Sequence, residues 1–486
     1  MAATVGERET SGAQHARGCL TARERLDILF DHETCREIGG AGEGVITASG
    51  LVRGRPVMAF SQDVTDAAGV MTQAQATAIA QLVDQAVAIG TPIVGIHDSP
   101  GAALDEGLAC LTAQAMLMQG QARAQGRVPQ LSLLFGPTVG TAALSTGLAD
   151  FTFMLDRASA LYLAGPQVLR QATGEIAGVD ALGAPSLHAA ATGMADGVFP
   201  DEIELLFAAR DLLNLLPTAA DQPAPLVITA DTSDRLEPGL DQLVPLDPAA
   251  PYDMRELARA LADERAIFEL QPAHAANMIC ALARIDGRTV GILGSQPLVL
   301  GGVIDRAAAR KATRFARFCD RFAIPMLVLL DSPGLHPGAA EQSRGIVRDV
   351  ADLLAVLARA TVPRITLVTR RAIGAAWAIF APQPGVPSVC YAWPGAEIAA
   401  MAGDAAAALL FEAGDEQKKR DYAAAIADPS HAVTAGFVDA VIRPAATRQT
   451  IAAALRHAAP AQEFGSMLPK PSPTGAGHTR ERDRNG

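Results

Sequence analysis

The chain has 486 residues, 49% of them hydrophobic and only 19% charged, which is enough apolar material for several buried cores and excludes a wholly disordered chain. Its net charge of −12 disfavours broad nucleic-acid binding, which needs a basic surface. Met1–Leu20 carries Glu7, Arg8, Glu9 and Arg17 and no apolar run, so it does not read as a secretory signal.

Taken in chain order, Pro56–Phe60 reads as a short strand and Thr72–Ala88 as a helix, with Ile79, Leu82, Val83 and Val87 at helical spacing. Pro92–His97 reads as a buried strand that ends at the turn-forming Asp98-Ser99-Pro100-Gly101. Gln130–Phe135 is a further strand, Gly136–Gly140 a loop and Thr141–Leu148 the start of a helix. The order then returns. Val290–Leu293 is a strand, Ala307–Phe322 a helix, Met326–Leu330 and Ile365–Val368 strands, and Ala375–Phe380 a helix start. Short apolar strands alternating with amphipathic helices predict an α/β fold with mostly parallel sheet.

The return is an internal repeat. Gly54-Arg55-Pro56-Val57 recurs as Gly287-Arg288-Thr289-Val290, and Asp98-Ser99-Pro100-Gly101 as Asp331-Ser332-Pro333-Gly334. Val128-Pro129 matches Val362-Pro363, and Gly140 matches Gly374. These landmarks keep a nearly constant spacing, so the chain reads as two copies of one unit. The copies divide as residues 20–250 and 251–462. Between them Pro217–Pro251 is proline-rich and reads as an extended surface connector. The tail, 463–486, has almost no apolar content and reads as disordered.

Common catalytic signatures are absent. There is no Walker loop, no dinucleotide fingerprint, no H-E-x-x-H and no G-x-S-x-G. The nine histidines have no metal-ligand spacing, and the six cysteines contain no C-x-x-C pair, so no metal site is expected and a reducing, cytoplasmic setting is. Glu202, Glu204 and Glu341 have no evident partner carboxylate. What remains are two strand–loop–helix junctions rich in small residues, around Gly140-Thr141 and Gly374-Ala375. Unpaired backbone N–H groups at a helix start can hold a developing oxyanion with no catalytic side chain, and glycine lets a substrate oxygen approach closely. The plainer alternative is that the small residues only let helix pack on strand.

The chain resembles the carboxyltransferase (β) subunits of biotin-dependent acyl-CoA carboxylases. The resemblance runs from about Ala22 to Leu455 and is strongest at Phe60-Ser61-Gln62-Asp63, Asp98–Gly107, Gly165-Pro166-Gln167-Val168 and Pro251–Glu256. It continues at Ser295-Gln296-Pro297, Arg317-Phe318-Cys319-Asp320, Asp331–Gly338 and Trp393-Pro394 with Ala396-Glu397-Ile398. The resemblance implies two tandem crotonase-like (ββα-superhelix) domains, with the acyl-thioester side in the first half and the biotin side in the second. It implies transfer of a carboxyl group from carboxybiotin to the α carbon of an acyl-CoA. By the same resemblance Gly140 and Thr141 align with the thioester-side oxyanion hole, and Gly374 and Ala375 with the biotin-side hole. Pro100, Gly101 and Ala102 align with a substrate-binding loop, and Ala378 with a position that varies with acyl-chain size. The partners implied are a biotin carboxylase with a biotin carrier, because the chain has no Ala-Met-Lys-Met biotin-attachment tetrapeptide. An assembly built on dimers, up to a hexamer, or a hetero-oligomer with a related β subunit, is implied as well. No nucleic acid or membrane is expected.

The chain departs from the family pattern in places. Thr141 stands where a second Gly is usual, and its β-branched side chain is expected to crowd the approach and resist a positive φ. Pro100 and Ala103 replace a Gly and an Arg, Ala68-Gly69-Val70 replaces a Gly-Gly-Ser loop, and Ala78 replaces a helix Lys. A basic residue is missing near Asp352, the Gly expected within Met401-Ala402-Gly403 is displaced, and Ala381–Gly385 replaces a Ser-Lys-His segment. Most of these changes fall where the family binds the CoA ester, and lost cations should weaken phosphate contacts. A decarboxylase, a carboxylase acting on an unusual thioester such as a carrier-bound malonyl type, and a non-catalytic paralogue subunit therefore stand as alternatives.

Overall fold

The structure is a computed structural model, and it describes residues 11–38, 44–66, 69–245, 247, 250–382, 388–412 and 414–458. The predicted tail 463–486, Ala68 and Gln383–Gly385 lie outside the described residues.

The first half contains strands β1 (Arg36–Glu37), β2 (Val45–Val52), β3 (Arg55–Gln62), β4 (Ile93–Ser99), β5 (Gln130–Val139), β6 (Phe151–Leu155), β7 (Ala160–Tyr162) and β8 (Gly197–Phe199). They form one sheet in the order β1-β2-β3-β4-β5-β6-β8, with β7 paired to β5. The second half contains β9 (Ile267–Leu270), β10 (Met278–Ile285), β11 (Arg288–Ser295), β12 (Met326–Ser332), β13 (Arg364–Ile373), β14 (Ser388–Ala392), β15 (Glu397–Ala399) and β16 (Ala440–Val441). Their sheet runs β16-β14-β13-β12-β11-β10-β9, with β15 paired to β13. The repeat read in the sequence thus recurs as topology. Met58 pairs with Ile93 in β3 and β4, and its counterpart Gly291 pairs with Met326 in β11 and β12.

Each half opens with an antiparallel hairpin that the sequence reading does not contain, β2–β3 and β10–β11. Their tight turns are Arg53-Gly54 and Asp286-Gly287, all four residues at positive φ, as a two-residue hairpin of matching twist requires. The remaining pairs on the path toward β8 and β16 are parallel.

The helix Gln73–Ile89 starts where Thr72 accepts a hydrogen bond from the Gln75 N–H, and it ends at Gly90 in the left-handed region. It buries Ile79, Leu82 and Val83 against the first sheet, each contributing roughly 1.5–3 kcal/mol. Arg306–Arg321 repeats this helix, with Asp305 capping the Ala308 N–H at 2.8 Å.

The expected loop 136–140 is a correction. β5 continues to Val139 because Pro137, Thr138 and Val139 pair with β7, after a register shift in β4 between His97 and Ser99. β13 extends to Ile373 on β15 in the same way. The extra pairing carries both strands out to the glycine of each junction.

Among its described residues, the connector 217–251 contains a single 3-10 turn, Pro238–Gln242, that buries Leu240. The main hydrophobic core is common to both halves, with the Phe151 ring 4.6 Å from Phe318 and Phe153 6.0 Å from Phe268. Among the described residues, no helix is long and apolar enough to cross a membrane, and all six cysteines are free thiols.

Candidate active site

Both junctions are built the same way. β5 runs into Gly140, with φ 68° and ψ −127°, and then into the helix Thr141–Gly147. β13 runs into Gly374, with φ 57° and ψ −124°, and then into the helix Ala375–Phe380. This pair of angles belongs almost entirely to glycine. It turns the chain sharply from strand into helix. The Gly140 N–H donates to the Tyr162 carbonyl at 3.1 Å, and the Gly374 N–H to Ala399 at 2.8 Å, so each glycine's own amide is spent on the neighbouring strand. Among the described residues, the N–H groups of Thr141 and Ala142 reach no protein acceptor, and neither do those of Ala375 and Ala376. With helices of two turns or less, these groups act as local donors rather than through a long helix dipole.

The Asp98 and Asp331 turns sit beside these junctions. Gly101 has φ 126° and Gly334 has φ 121°. Gly101 accepts from the Met71 N–H at 2.8 Å, and Ala103 donates to the Met71 carbonyl at 2.8 Å, which pins Ala102 beside Met71. Gly334 and His336 clamp Ile304 in the same manner at 3.0 and 2.9 Å. A side chain at Gly101 would come within 3.9 Å of Val139, and one at Gly334 within 3.4 Å of the Ile373 carbonyl, so each turn lies against the end of its junction strand. Pro100 is exposed, whereas Gly101 and Ala102 are half-buried. Ala378 is exposed one turn into the second junction helix, its N–H held by the Gly374 carbonyl at 3.2 Å. The structure therefore brings Pro100–Ala102 to Gly140-Thr141, and places Ala378 with Gly374-Ala375.

Thr141 does not meet the expectation of a strained residue. The positive φ falls on Gly140, and Thr141 takes ordinary helical geometry. Its hydroxyl is turned to the buried Gln114 carbonyl oxygen, with which it hydrogen-bonds. The two residues line a narrow cavity of about 10 Å³, together with Phe60, Met71 and His97, which has room for one water at most. Neither ring nitrogen of His97 has a hydrogen-bond partner, and burial pushes this imidazole down to about 4, so it is neutral near pH 7.

Sequence reasoning missed the ion clusters behind the turns. Arg25 is buried and bridges Asp98, at 3.1 Å, and Glu202, at 2.9 Å, with its guanidinium 4.5 Å from the Phe135 ring centroid. Glu202 thus pairs with a cation and not with a second carboxylate. The visible signal is Arg25 on the same helical stripe as Ala22, Leu26 and Leu29. Asp331 is instead held by Arg370, at 2.9 Å, and Arg371, at 3.0 Å, both within β13. Arg370 also lies over Tyr252, whose hydroxyl is 2.7 Å from Thr369. Beside the first junction half, a groove of about 460 Å³ is lined by Gln73, Thr77, Ala78, Gln81 and Gln85, with Glu106 and no Lys or Arg.

A carboxyl transferase domain model matches residues 13–469. The chain belongs to the carboxyl transferase family. The propionyl-CoA carboxylase beta chain, mitochondrial, of Mus musculus is 39% identical over 459 residues, covering 90% of this chain and 85% of that one. The methylmalonyl-CoA decarboxylase subunit alpha of Veillonella parvula is 37% identical over 460 residues, covering 91% and 90%. A solved structure of transcarboxylase 12S, described as a hexamer with methylmalonyl-coenzyme A and methylmalonic acid bound, superposes with a TM-score of 0.89. It is 34% identical and covers 96% of this chain and 94% of its own. The family's crotonase-like fold accounts for the doubled sheet and its paired junctions.

Proposed function

We propose that this chain is the carboxyltransferase subunit of a biotin-dependent acyl-CoA carboxylase, moving a carboxyl group between carboxybiotin on a partner carrier and the α carbon of a short acyl thioester. The observation that carries this reading is the duplicated junction, with a glycine of near-identical backbone angles and two unpaired amides in each half. Carboxybiotin supplies the carboxyl group. The chain's residues supply oxygen-binding donors, which suits a reaction that builds negative charge on a thioester oxygen and on the biotin ring oxygen. Thr141 and Ala142 would hold the thioester oxygen, and Ala375 and Ala376 the biotin oxygen. Glycine at 140 keeps the approach open, since a side chain there would meet no atom within 4 Å. We take the partners to be a biotin carboxylase and its carrier, the assembly to be built on dimers that pair unlike halves, and the setting to be cytoplasmic, in keeping with six free thiols.

The experiment is reconstitution. The chain is mixed with a biotin carboxylase, a biotinylated carrier, ATP and labelled bicarbonate, and offered acetyl-, propionyl- and butyryl-CoA. Label in the acid-stable acyl-CoA product is expected. No label with any of the three would overturn the carboxylase reading. A second reading, decarboxylation of a malonyl-type thioester, is supported by the Veillonella parvula relative. It requires CO2 release from malonyl- or methylmalonyl-CoA, and it fails if neither substrate turns over with the carrier present or absent.

A further inference from the structure

The repeat builds the groove beside helix Gln73–Ile89 a second time, beside helix Arg306–Arg321. The correspondence runs residue by residue. Thr72 and Asp305 cap the two helices, Glu106 accepts the Gln73 N–H, and Glu341 accepts the Arg306 N–H at 2.9 Å. The walls differ in charge. Gln73, Thr77, Ala78 and Gln81 in the first half become Arg306, Arg310, Lys311 and Arg314 in the second, and Arg317 joins the second wall at the place of Asp84, which lies outside the first groove. The second groove has a volume of about 590 Å³, and Arg344 also lines it.

Some of this charge is already neutralised. Arg306 pairs with Asp349 at 2.7 Å and Arg314 with Asp196 at 2.7 Å. Lys311 is buried, and its ammonium donates to the carbonyls of Gln271, His274 and Met278 at 2.8, 2.9 and 2.7 Å, so no carboxylate cancels its charge there. Arg310 is exposed and only 4.0 Å from the already paired Asp349. Arg317 and Arg344 are exposed and have no ion-pair partner among the described residues. The carboxylates of Asp305 and Glu341 are engaged by backbone amides. Arg310 and Arg317 stand seven residues apart, about 10 Å along the helix axis. With Arg344 also lining the groove, three guanidinium groups without a close carboxylate of their own offer more positive charge than a single phosphate neutralises, which suits two or more linked phosphates.

We propose that this second-half groove is a binding site for a ligand carrying a diphosphate or longer phosphate chain, held chiefly by Arg310, Arg317 and Arg344. The shared chemistry is the phosphoanhydride, whether it comes as a free polyphosphate or as the nucleotide end of coenzyme A. The site does not depend on the transfer reaction, and its test needs no turnover.

Inorganic pyrophosphate is titrated calorimetrically into the full-length protein, followed by coenzyme A in competition. One pyrophosphate per chain is expected, with binding weakened at least about tenfold in Arg310→Gln/Arg344→Gln. The variant Arg123→Gln/Arg157→Gln makes the same charge change elsewhere and should bind as the parent does. Displacement of pyrophosphate by coenzyme A assigns the nucleotide as the source, and lack of displacement assigns a free polyphosphate. The proposal is overturned if pyrophosphate does not bind, if equimolar sulfate displaces it, or if the groove variant binds as tightly as the parent while keeping its circular-dichroism spectrum.

Discussion

The two halves share a backbone device but anchor it differently. In the second half Asp331 is gripped by two arginines of its own junction strand, Arg370 and Arg371. In the first half the positions of those arginines are taken by Gly136 and Pro137, and Asp98 is held by Arg25 from the helix Ala22–Leu29. Gly136 cannot carry even a methyl group, which would overlap the Asp98 carboxylate. Below the junction, His97 replaces Leu330, and above it Thr141 replaces Ala375. The amide geometry is nearly the same in both halves while the supporting side chains differ. The proposed oxygen-binding role therefore rests on main chain in both halves, while the side chains that support each junction differ and each aspartate has its own cation.

The sharpest way to break the comparison is to disable one junction. Gly374→Val is expected to lower carboxyl transfer roughly a thousandfold or more, because a branched side chain opposes φ 57° and covers the adjacent donors. Circular dichroism should show the fold retained. Transfer at more than about a tenth of the parent rate would remove the second junction from the chemistry. The halves should also respond unequally to alanine. Its methyl at 374 would come 3.2 Å from the Ala400 carbonyl, whereas at 140 it meets nothing within 4 Å, so the Gly374 variant should unfold at lower denaturant.

Next in size is the loss of an anchoring cation. Arg25→Met should cost about 3 kcal/mol, since buried Glu202 and half-buried Asp98 lose the cation they share. Arg370→Met should cost less, about 1–3 kcal/mol, because Arg371 still reaches Asp331 at 3.0 Å. Urea titration of both variants decides the point, and equal losses would show that the second arginine adds nothing.

The buried imidazole gives a smaller, pH-dependent contrast. His97 titrates at about 4 in the fold against about 6.5 in the unfolded chain, so the unfolded state binds the extra proton between those values. The neutral imidazole's contribution is therefore complete above pH 6.5 and is lost as pH falls toward 4, by up to about 3 kcal/mol. Half-buried Asp150, pushed up to about 6 by desolvation, has the opposite slope from pH 6 down to 4, so the parent alone would show little. His97→Leu, which copies Leu330, isolates the effect. The variant should gain on the parent as pH drops from 7 to 4.5, and a constant difference would mean that His97 is hydrated and ordinary.

The repeat, six of the sixteen strands among the described residues and both junctions were legible in the sequence, because glycine, proline and short apolar runs carry local rules. Gly140 and Gly374 stood out for that reason. The hairpin β2–β3 did not, since Arg53-Gly54 is no strong turn word, whereas β10–β11 carries the legible turn pair Asp286-Gly287 that the sequence reading does not use. The extension of β5 past Pro137 depends on β7, more than twenty residues downstream, and no local pattern encodes it. The anchoring of Asp98 by Arg25 and the exhaustion of the Gly140 amide on Tyr162 are likewise long-range facts. Which of two adjacent amides faces outward is fixed by tertiary pairing.

The smallest effect concerns Thr141. The crowding argument required this residue to lean across the donors, yet its hydroxyl is committed to Gln114 within the fold. Thr141→Gly removes that hydrogen bond, leaves the buried Gln114 oxygen unpaired and places a flexible residue at the start of a short helix, at a cost of about 1–2 kcal/mol. The amide at 141 survives the substitution. Turnover of CoA esters should therefore change by less than about threefold while the thermal midpoint falls. A rise of tenfold would restore steric blocking as the reason for the Gly-to-Thr departure. The predicted pairing of lower stability with nearly unchanged turnover makes Thr141 and Gln114 a packing pair beneath the junction, just as Ala375 serves the second junction with no side-chain partner at all.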